Sequence, residues 1–322
     1  MTIHVKNPGM LTTVQDLGRY GYAHLGVSAG GAADAIALRI ANRLVGNAEN
    51  AAALEMTLLG ATLEFHEPRI VALAGGECDC RVGTDSVPMW EAVAMRAGDV
   101  ISCGPVTTGA RVYMTVRGGF VVPQMLGSAS TNLNGRFGGF EGRALMKGDA
   151  LRVRRPSRDA AVANRERNPH AVELVERFYP RQPLRVTRGV QADWFAADTF
   201  ERFLSARYQV GDDSNRSGLR LKGEPLTPSE NRQLITEGVA LGAVQVPADG
   251  QPMILCVDQQ TTGGYPKIAN VIAADIHRVG QLRPRDDVRF EEVTIAEAVR
   301  LLREQEKWFS RMLRSRGGNM RR

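Results

Sequence analysis

The chain is short of the groups that build metal centres and redox sites. It has four cysteines and five histidines in 322 residues. Cys78 and Cys80 form a C-x-C, there is no C-x-x-C pair, and Cys103 and Cys256 sit in apolar runs, so reduced structural thiols are expected. No histidine forms H-E-x-x-H, and no metal site is expected. Only His24, inside a glycine-rich stretch, stands out as an acid or base to test. No run approaches the roughly 20 apolar residues needed to cross a bilayer. The start, Met1-Thr-Ile-His-Val-Lys6, lacks a charged region followed by an apolar one, and the expected location is the cytoplasm. Neither Gly-Lys followed by Ser or Thr, nor G-x-G-x-x-G, occurs, which removes both standard nucleotide loops.

Positive charge is concentrated late. Of a net charge of +6, the stretch 311–322 holds five arginines and no acid. Aromatic residues are only 6% of the chain and no nucleic-acid module is recognisable, so this segment reads as a solvated basic tail. Neither nucleic acid nor membrane is an expected partner.

What is there is strand-forming sequence. Short apolar runs bounded by Gly and Pro recur at 62–65, 70–74, 100–103, 111–116, 150–153, 184–187 and 253–257. This spacing predicts a mostly β chain of barrels or sandwiches. Three turns, Ala97-Gly-Asp, Lys147-Gly-Asp and Arg285-Asp-Asp, each precede a closing strand and hint at related β units. A helix is predicted over 32–45 from Ile36, Ile40 and Leu44, with Gly46 just past its end. A second is predicted over 294–314, opened by Thr294 and Glu297 as a capping box. The expected organisation is an N-terminal half 1–155 and a linker 156–183 with a helical patch at 172–178. A C-terminal half 184–293 and a terminal helix with tail 294–322 follow.

The stretch 258–268, Asp-Gln-Gln-Thr-Thr-Gly-Gly-Tyr-Pro-Lys-Ile, is the most informative. It lies between two apolar runs, Met253 to Val257 and Ile268 to Ile276, each read as core strand. It gathers a carboxylate, two carboxamides, two hydroxyls, a phenol and two unshielded glycine amides. That set suits recognition of a small amide or carbonyl compound. A plain turn, with Gly263 and Gly264 supplying positive φ, is the structural alternative. A second candidate is the glycine-rich stretch holding Gln15, Asp16, Arg19 and Asp34. Either these side chains point at one pocket, or Arg19 pairs with Asp16 or Asp34 to lock the loop. A third glycine and small-residue cluster, 126–131 with 136–143, offers backbone N–H groups to an anion.

Seven motifs in order resemble one family. They are Thr13-Val-Gln-Asp-x-Gly-Arg19, Gly31-Ala-x-Asp34, Ala41-Asn-Arg-Leu-Val-Gly-Asn47, Leu126-Gly-Ser-x-Ser-Thr131, Arg216-x-Gly-x-Arg-Leu221, Val244-Gln-Val-Pro247 and Gln260-Thr-Thr-Gly-Gly-Tyr-Pro266. The family is that of allophanate hydrolase subunit 2 and the C subunit of 5-oxoprolinase, the biotin-dependent carboxyltransferase-like proteins, which include an antagonist of a sporulation-kinase inhibitor. The resemblance runs from about residue 9 to 290. It implies two cyclophilin-like β-barrel domains in a carboxyltransferase-type architecture.

It further implies a hydrolase subunit in an ATP-dependent complex that opens 5-oxo-L-proline to glutamate. The active cleft is shared with a subunit 1 homologue, the B subunit of 5-oxoprolinase. A third subunit completes the enzyme, and this chain alone is inactive and holds no cofactor. On the same grounds Asp258, Gly263, Gly264 and Tyr265 are expected to be catalytic. Gln15, Arg19, Asp34, Asn42, Gln245, Gln260, Thr261 and Thr262 are expected to bind substrate, with Arg19 facing a substrate carboxylate. Two alternatives stand beside this. One is a carboxyltransferase or allophanate hydrolase subunit acting on urea-derived or biotin-linked substrates, although no biotin-carrier Met-Lys-Met is present. The other is a regulatory binder of its partner without turnover.

Overall fold

Alternation of buried and exposed residues is clearest at the first strand, where Ile3 and Val5 are buried and their neighbours are not. A computed structural model describes residues 2–155, 171–229 and 234–317. The chain is mostly β and divides into two compact units. The first holds Met1–Arg181, Cys256–Thr261 and His277–Arg283; the second holds Gln182–Leu255, Thr262–Ile276 and Pro284–Arg322.

The first unit opens with β1 (Thr2–Asn7), β2 (Leu11–Gln15) and α1 (Ala35–Leu44), then β3 (Ala53–Thr57) and β4 (Thr62–Phe65). A long pair follows, β5 (Arg69–Val82) and β8 (Val100–Val116), with β6 (Asp85–Ser86) and β7 (Ala92–Met95) between them in sequence. The unit is completed by β9 (Ala150–Arg152) and α2 (Ala171–Phe178). The order β2-β3-β8-β4-β1-β9, with β5 paired to β8, makes a curled sheet. Its concave core holds Val5, Leu54, Met56, Leu63, Phe65, Leu73, Ile101 and Met114. Burial of each such side chain is worth about 1.5–3 kcal/mol.

Helix α1 packs on β5 and β8, which is why 111–116 is buried on both faces. Thr115 Oγ1 donates to the α1 carbonyl of Ala41 at 2.8 Å. Asp34 takes the N-cap position, its Oδ1 accepting from the Ala37 N–H at 2.9 Å, so the helix starts three residues later than the periodicity predicts. Gly46 at φ +77° ends it.

In the second unit come β10 (Leu184–Arg188), α3 (Ala197–Ser205), β11 (Tyr208–Val210), β12 (Gly218–Lys222), β13 (Glu237–Gly238) and β14 (Ala243–Gln245). They are followed by β15 (Met253–Leu255), β16 (Thr262–Gly263), β17 (Lys267–Val271), α4 (Ile276–Val279), β18 (Asp287–Val288), β19 (Phe290–Glu292) and α5 (Ile295–Gly317). Eight strands run β18-β11-β12-β15-β14-β17-β10-β19. The two edge strands, β18 and β19, are separated in sequence by Arg289 alone, so the sheet wraps into a nearly closed barrel. Phe203 and Phe290 stack in its interior at 4.5 Å. β13 and β16 form a separate two-stranded ribbon. Thr294 Oγ1 caps α5, accepting from the Glu297 N–H at 3.1 Å.

The three similar turns share one geometry. Gly98, Gly148 and Arg285 are left-handed and donate to the carbonyls of Phe65, Val5 and Val210. In return the N–H of each of those residues donates to the carbonyl of Asp99, Asp149 and Asp286. Two of these turns lie in the first unit and one in the second.

The expected organisation is corrected in three respects. The C-terminal half is not continuous, because 256–261 and 277–283 belong to the first unit. The helical patch in the expected linker, now α2, belongs to the first unit as well. The run Ile268 to Ile276 is not one strand, since β17 ends at Val271 and a 3-10 turn, Ala273–Asp275, follows. Residues 156–170 of the linker and 318–322 of the basic tail lie outside the described residues.

Candidate functional site

The first unit buries the Arg19 guanidinium in the loop after β2. Arg19 is 2% exposed. Its Nε donates to the Met125 carbonyl at 3.4 Å and its Nη2 to the Ser130 carbonyl, while the plane lies over Phe137 at 4.9 Å. Nη1 is buried and has no hydrogen-bond partner. Burial pulls this guanidinium below its ordinary pKa, opposed by the nearby Asp16 and Asp258 carboxylates.

Gly30 shows where Nη1 is aimed. A Cβ built on Gly30 would lie 3.1 Å from Arg19 Nη1 and 3.5 Å from Asp258 Oδ1, with nothing else within 4 Å beyond its own chain neighbours. One point over Gly30 is thus within hydrogen-bonding reach of a buried donor and a buried acceptor. Asp258 is brought there by a turn after β15. Gln259 N–H donates to the Cys256 carbonyl at 3.0 Å, and Gly30 N–H to the Val257 carbonyl at 2.9 Å. Gln15 on β2 donates through Nε2 to Thr13 Oγ1 at 3.0 Å and to the Thr131 carbonyl at 3.2 Å, while its buried Oε1 has no partner.

Neither sequence-based reading of the glycine-rich stretch survives whole. Arg19 forms no ion pair with Asp16 or Asp34. Asp16 instead organises the 128–130 loop, accepting from Ser128 Oγ (2.6 Å), Ser130 Oγ (2.5 Å), Ala129 N–H (2.6 Å) and Gly18 N–H (2.8 Å). The small-residue cluster 126–131 is therefore a scaffold for Asp16 and Arg19.

Asp34 and Asn42, expected on the substrate wall, are both engaged within the protein. Besides capping α1, Asp34 accepts at Oδ2 from Tyr179 Oη and Gln281 Nε2, each at 2.7 Å, and burial raises its pKa. Asn42 donates to the carbonyls of Glu49 (3.2 Å) and Ala51 (2.7 Å) and accepts from Asn47 Nδ2 at 3.1 Å. His24 is exposed in a short 3-10 turn, Ala23–Leu25.

The polar stretch after β15 is split between the units. Asp258, Gln260 and Thr261 belong to the first; Thr262, Gly263, Gly264 and Tyr265 belong to the second. Gln260, Thr262, Gly264 and Tyr265 are exposed, Tyr265 at 46%. Neither Gly263 nor Gly264 has positive φ, which removes the simple turn explanation for the pair. Gly263 lies close over another side chain: its Cβ would fall 2.6 Å from Gln245 Nε2. Gln245, on β14, is fully buried, and neither its Oε1 nor its Nε2 has a partner.

An ion pair between a buried lysine and an exposed carboxylate, missed by the sequence reading, stands in the same unit. Lys267, 3% exposed, donates from Nζ to Glu237 Oε1 at 2.5 Å, and Gln191 Nε2 donates to the same oxygen at 2.8 Å. The Gly-Gly-Tyr-Pro-Lys motif placed a lysine at the head of a core strand, and that unusual position was the available signal. Among the described residues no group of three or more His, Cys, Asp or Glu is arranged to hold a metal ion, and no helix is long and apolar enough to cross a membrane.

A nearly closed barrel, a curled half-barrel and a buried arginine behind a glycine-rich turn define a carboxyltransferase-type chain. The family model for the carboxyltransferase domain, subdomain A and B, matches residues 25–292, and the chain belongs to this family. It is 38% identical over 304 residues to the 5-oxoprolinase C subunit of Escherichia coli (strain K12), covering 94% of this chain and 95% of that one. It is 35% identical over 305 residues to the 5-oxoprolinase C subunit of Haemophilus influenzae, covering 94% of each. Among solved structures, the K. lactis urea amidolyase superimposes with a TM-score of 0.87 at 33% identity. That superposition covers 95% of this chain, which spans only 19% of the urea amidolyase.

Proposed function

We propose that this chain is the C subunit of an ATP-dependent 5-oxoprolinase, a complex that hydrolyses 5-oxo-L-proline to glutamate together with a B subunit and a third subunit. The observation that carries this reading is the mutual coverage with the 5-oxoprolinase C subunit, 94% of one chain and 95% of the other, against 19% of urea amidolyase. In this reading ATP is a substrate of the complex.

Opening a lactam builds negative charge on the carbonyl oxygen and releases a nitrogen that needs a proton. In the first unit, Arg19 Nη1 is the donor for the substrate's carboxylate and Asp258 the group that handles protons. The charge-assisted hydrogen bond from Nη1 is worth about 1.5–3 kcal/mol, or about 10- to 150-fold in affinity. Gln15 Oε1 supplies a further acceptor. The expected roles of Gly263, Gly264 and Tyr265 rest on the second unit and on separate tests.

The reading is tested by co-expressing the chain with its two partner subunits and measuring 5-oxoproline-dependent ATP hydrolysis and glutamate release. Turnover is expected, and Arg19→Met is expected to raise KM for 5-oxoproline at least tenfold. The family's carboxyltransferase identity supports a second reading, carboxyl transfer from carboxybiotin to urea. Activity in that assay with none on 5-oxoproline establishes it. A tight complex with neither activity marks a regulatory binder.

A further inference from the structure

Gln245 is the most completely unpaired buried polar side chain among the described residues. Both atoms of its carboxamide are buried without a partner. An unmet buried polar group costs about 1–3 kcal/mol, and a fold does not need one here, since an apolar side chain of similar size is cheaper. Beside Gln245 the β14–β17 register slips, pairing Val244 with Ala269 but Gln245 with Lys267, which leaves Ile268 as the extra residue on β17. Bulges of this kind recur beside functional sites.

The carboxamide lies under the β13–β16 ribbon. The ribbon has two residues per strand, Glu237 opposite Gly263 and Gly238 opposite Thr262. So short a ribbon has little stability of its own. It is pinned at Glu237, whose Oε1 receives Lys267 Nζ and Gln191 Nε2. Gly263 is the residue that meets Gln245, and Gly264 beyond it would place a Cβ no nearer than 3.5 Å to Thr236 Oγ1. The ribbon thus meets the amide with a glycine, and a Val239 methyl stands beside it, 3.2 Å from a Cβ built on Gly263.

We propose that Gln245 reads a planar N–H/C=O edge: with the ribbon lifted, Nε2 donates to the carbonyl oxygen and Oε1 accepts the N–H of a cis-amide. A primary carboxamide pairs with such an edge through two parallel hydrogen bonds. Only groups with N–H and C=O on the same side qualify, such as lactams, ureido groups and primary carboxamides; secondary open-chain trans amides do not. Rings of five or six atoms enforce this geometry. The inference deepens the amide-handling reading above and rests on it.

The test uses the reconstituted complex with Gln245→Leu, which removes both polar atoms, and Gln245→Glu, which keeps shape and acceptor but loses the donor. The expected result is a KM for 5-oxoproline raised at least about tenfold in both, with a smaller change in kcat. Gln245→Leu is also expected to leave Tm unchanged or higher, because it removes an unpaired group. A purely structural glutamine predicts the opposite pair of outcomes. As a second readout, the γ-lactone analogue of 5-oxoproline, which lacks the N–H, is compared with the lactam as a competitive ligand. Wild type prefers the lactam, and Gln245→Leu loses that preference. If the wild-type complex shows no 5-oxoproline turnover, urea and biotin are titrated into wild type and Gln245→Leu. Weakened binding of either supports a ureido source. Equal binding of lactam, lactone, urea and biotin by wild type and Gln245→Leu overturns the proposal.

Discussion

Adding one methyl group at Gly30 separates the binding role of Arg19 from the folding of its loop. Gly30 sits at φ +62°, so alanine there adopts the left-handed conformation at a cost of about 1–2 kcal/mol. For a unit of this size that lowers Tm by about 2–8 °C. The methyl would lie 3.1 Å from Arg19 Nη1, a tight contact that a few tenths of an ångström relieve, and 3.5 Å from Asp258 Oδ1, ordinary van der Waals contact. It therefore fits, but it occupies the point where a ligand atom would meet both groups. Loss of the hydrogen bond from Nη1 removes about 1.5–3 kcal/mol, so KM for 5-oxoproline in the complex is expected to rise about 10- to 150-fold. Gly26→Ala is the control. Gly26 has φ +76° and no atom within 4 Å of its built Cβ, so it carries the same backbone strain without approaching Arg19. The two variants should lose similar stability and only Gly30→Ala should lose affinity. Equal KM values in the two would refute the assignment of this point as a binding position.

Four further variants have expected outcomes elsewhere in the fold. Glu237→Gln should lower the urea midpoint of the second unit, because it leaves buried Lys267 without an anion. Lys267→Met should cost less, since Glu237, 41% exposed at its side chain, is solvated when alone. Asp149 is held below the usual carboxylate pKa by hydrogen bonds from Arg143, with burial opposing. Its contribution to stability is present above the unfolded carboxylate value and is lost as pH falls through the lowered folded value. Asp149→Asn should therefore lower Tm at pH 7, by about 1–3 kcal/mol in stability, and converge with wild type at strongly acidic pH. Arg285→Gly should raise stability by about 1 kcal/mol, because φ +74° suits glycine and the exposed Arg285–Asp212 pair at 3.4 Å contributes little.

Much of the fold was legible in the chain because its signals are local. Alternating apolar runs gave the strands, Ile36, Ile40 and Leu44 gave α1, and Thr294 with Glu297 gave the start of α5. The three related turns, two of them Gly-Asp and one Arg-Asp, were visible as a pattern, and the structure adds that all three make the same pair of backbone hydrogen bonds. The candidate site was legible only as an inventory. Gln15, Asp16, Arg19, Asp34 and Asn42 stand close together in sequence and belong to two kinds. Arg19 keeps an unused donor, while Asp16, Asp34 and Asn42 are engaged in holding a loop, a helix cap and a turn. Residue type cannot tell these apart, because a capping aspartate and a binding aspartate have the same side chain.

Composition, periodicity and turn chemistry by themselves determined a strand-rich chain with two main helices and a polar, glycine-paired stretch between core strands. They could do so because each rests on contacts a few residues apart. Which polar atoms end up satisfied was decided only in three dimensions. Met125, Ser130 and Asp258 are more than a hundred residues from Arg19, yet they determine how its guanidinium is held and what it faces. A hydrogen bond between distant segments depends on how the sheets curl and where the chain returns, and no sequence window contains that information.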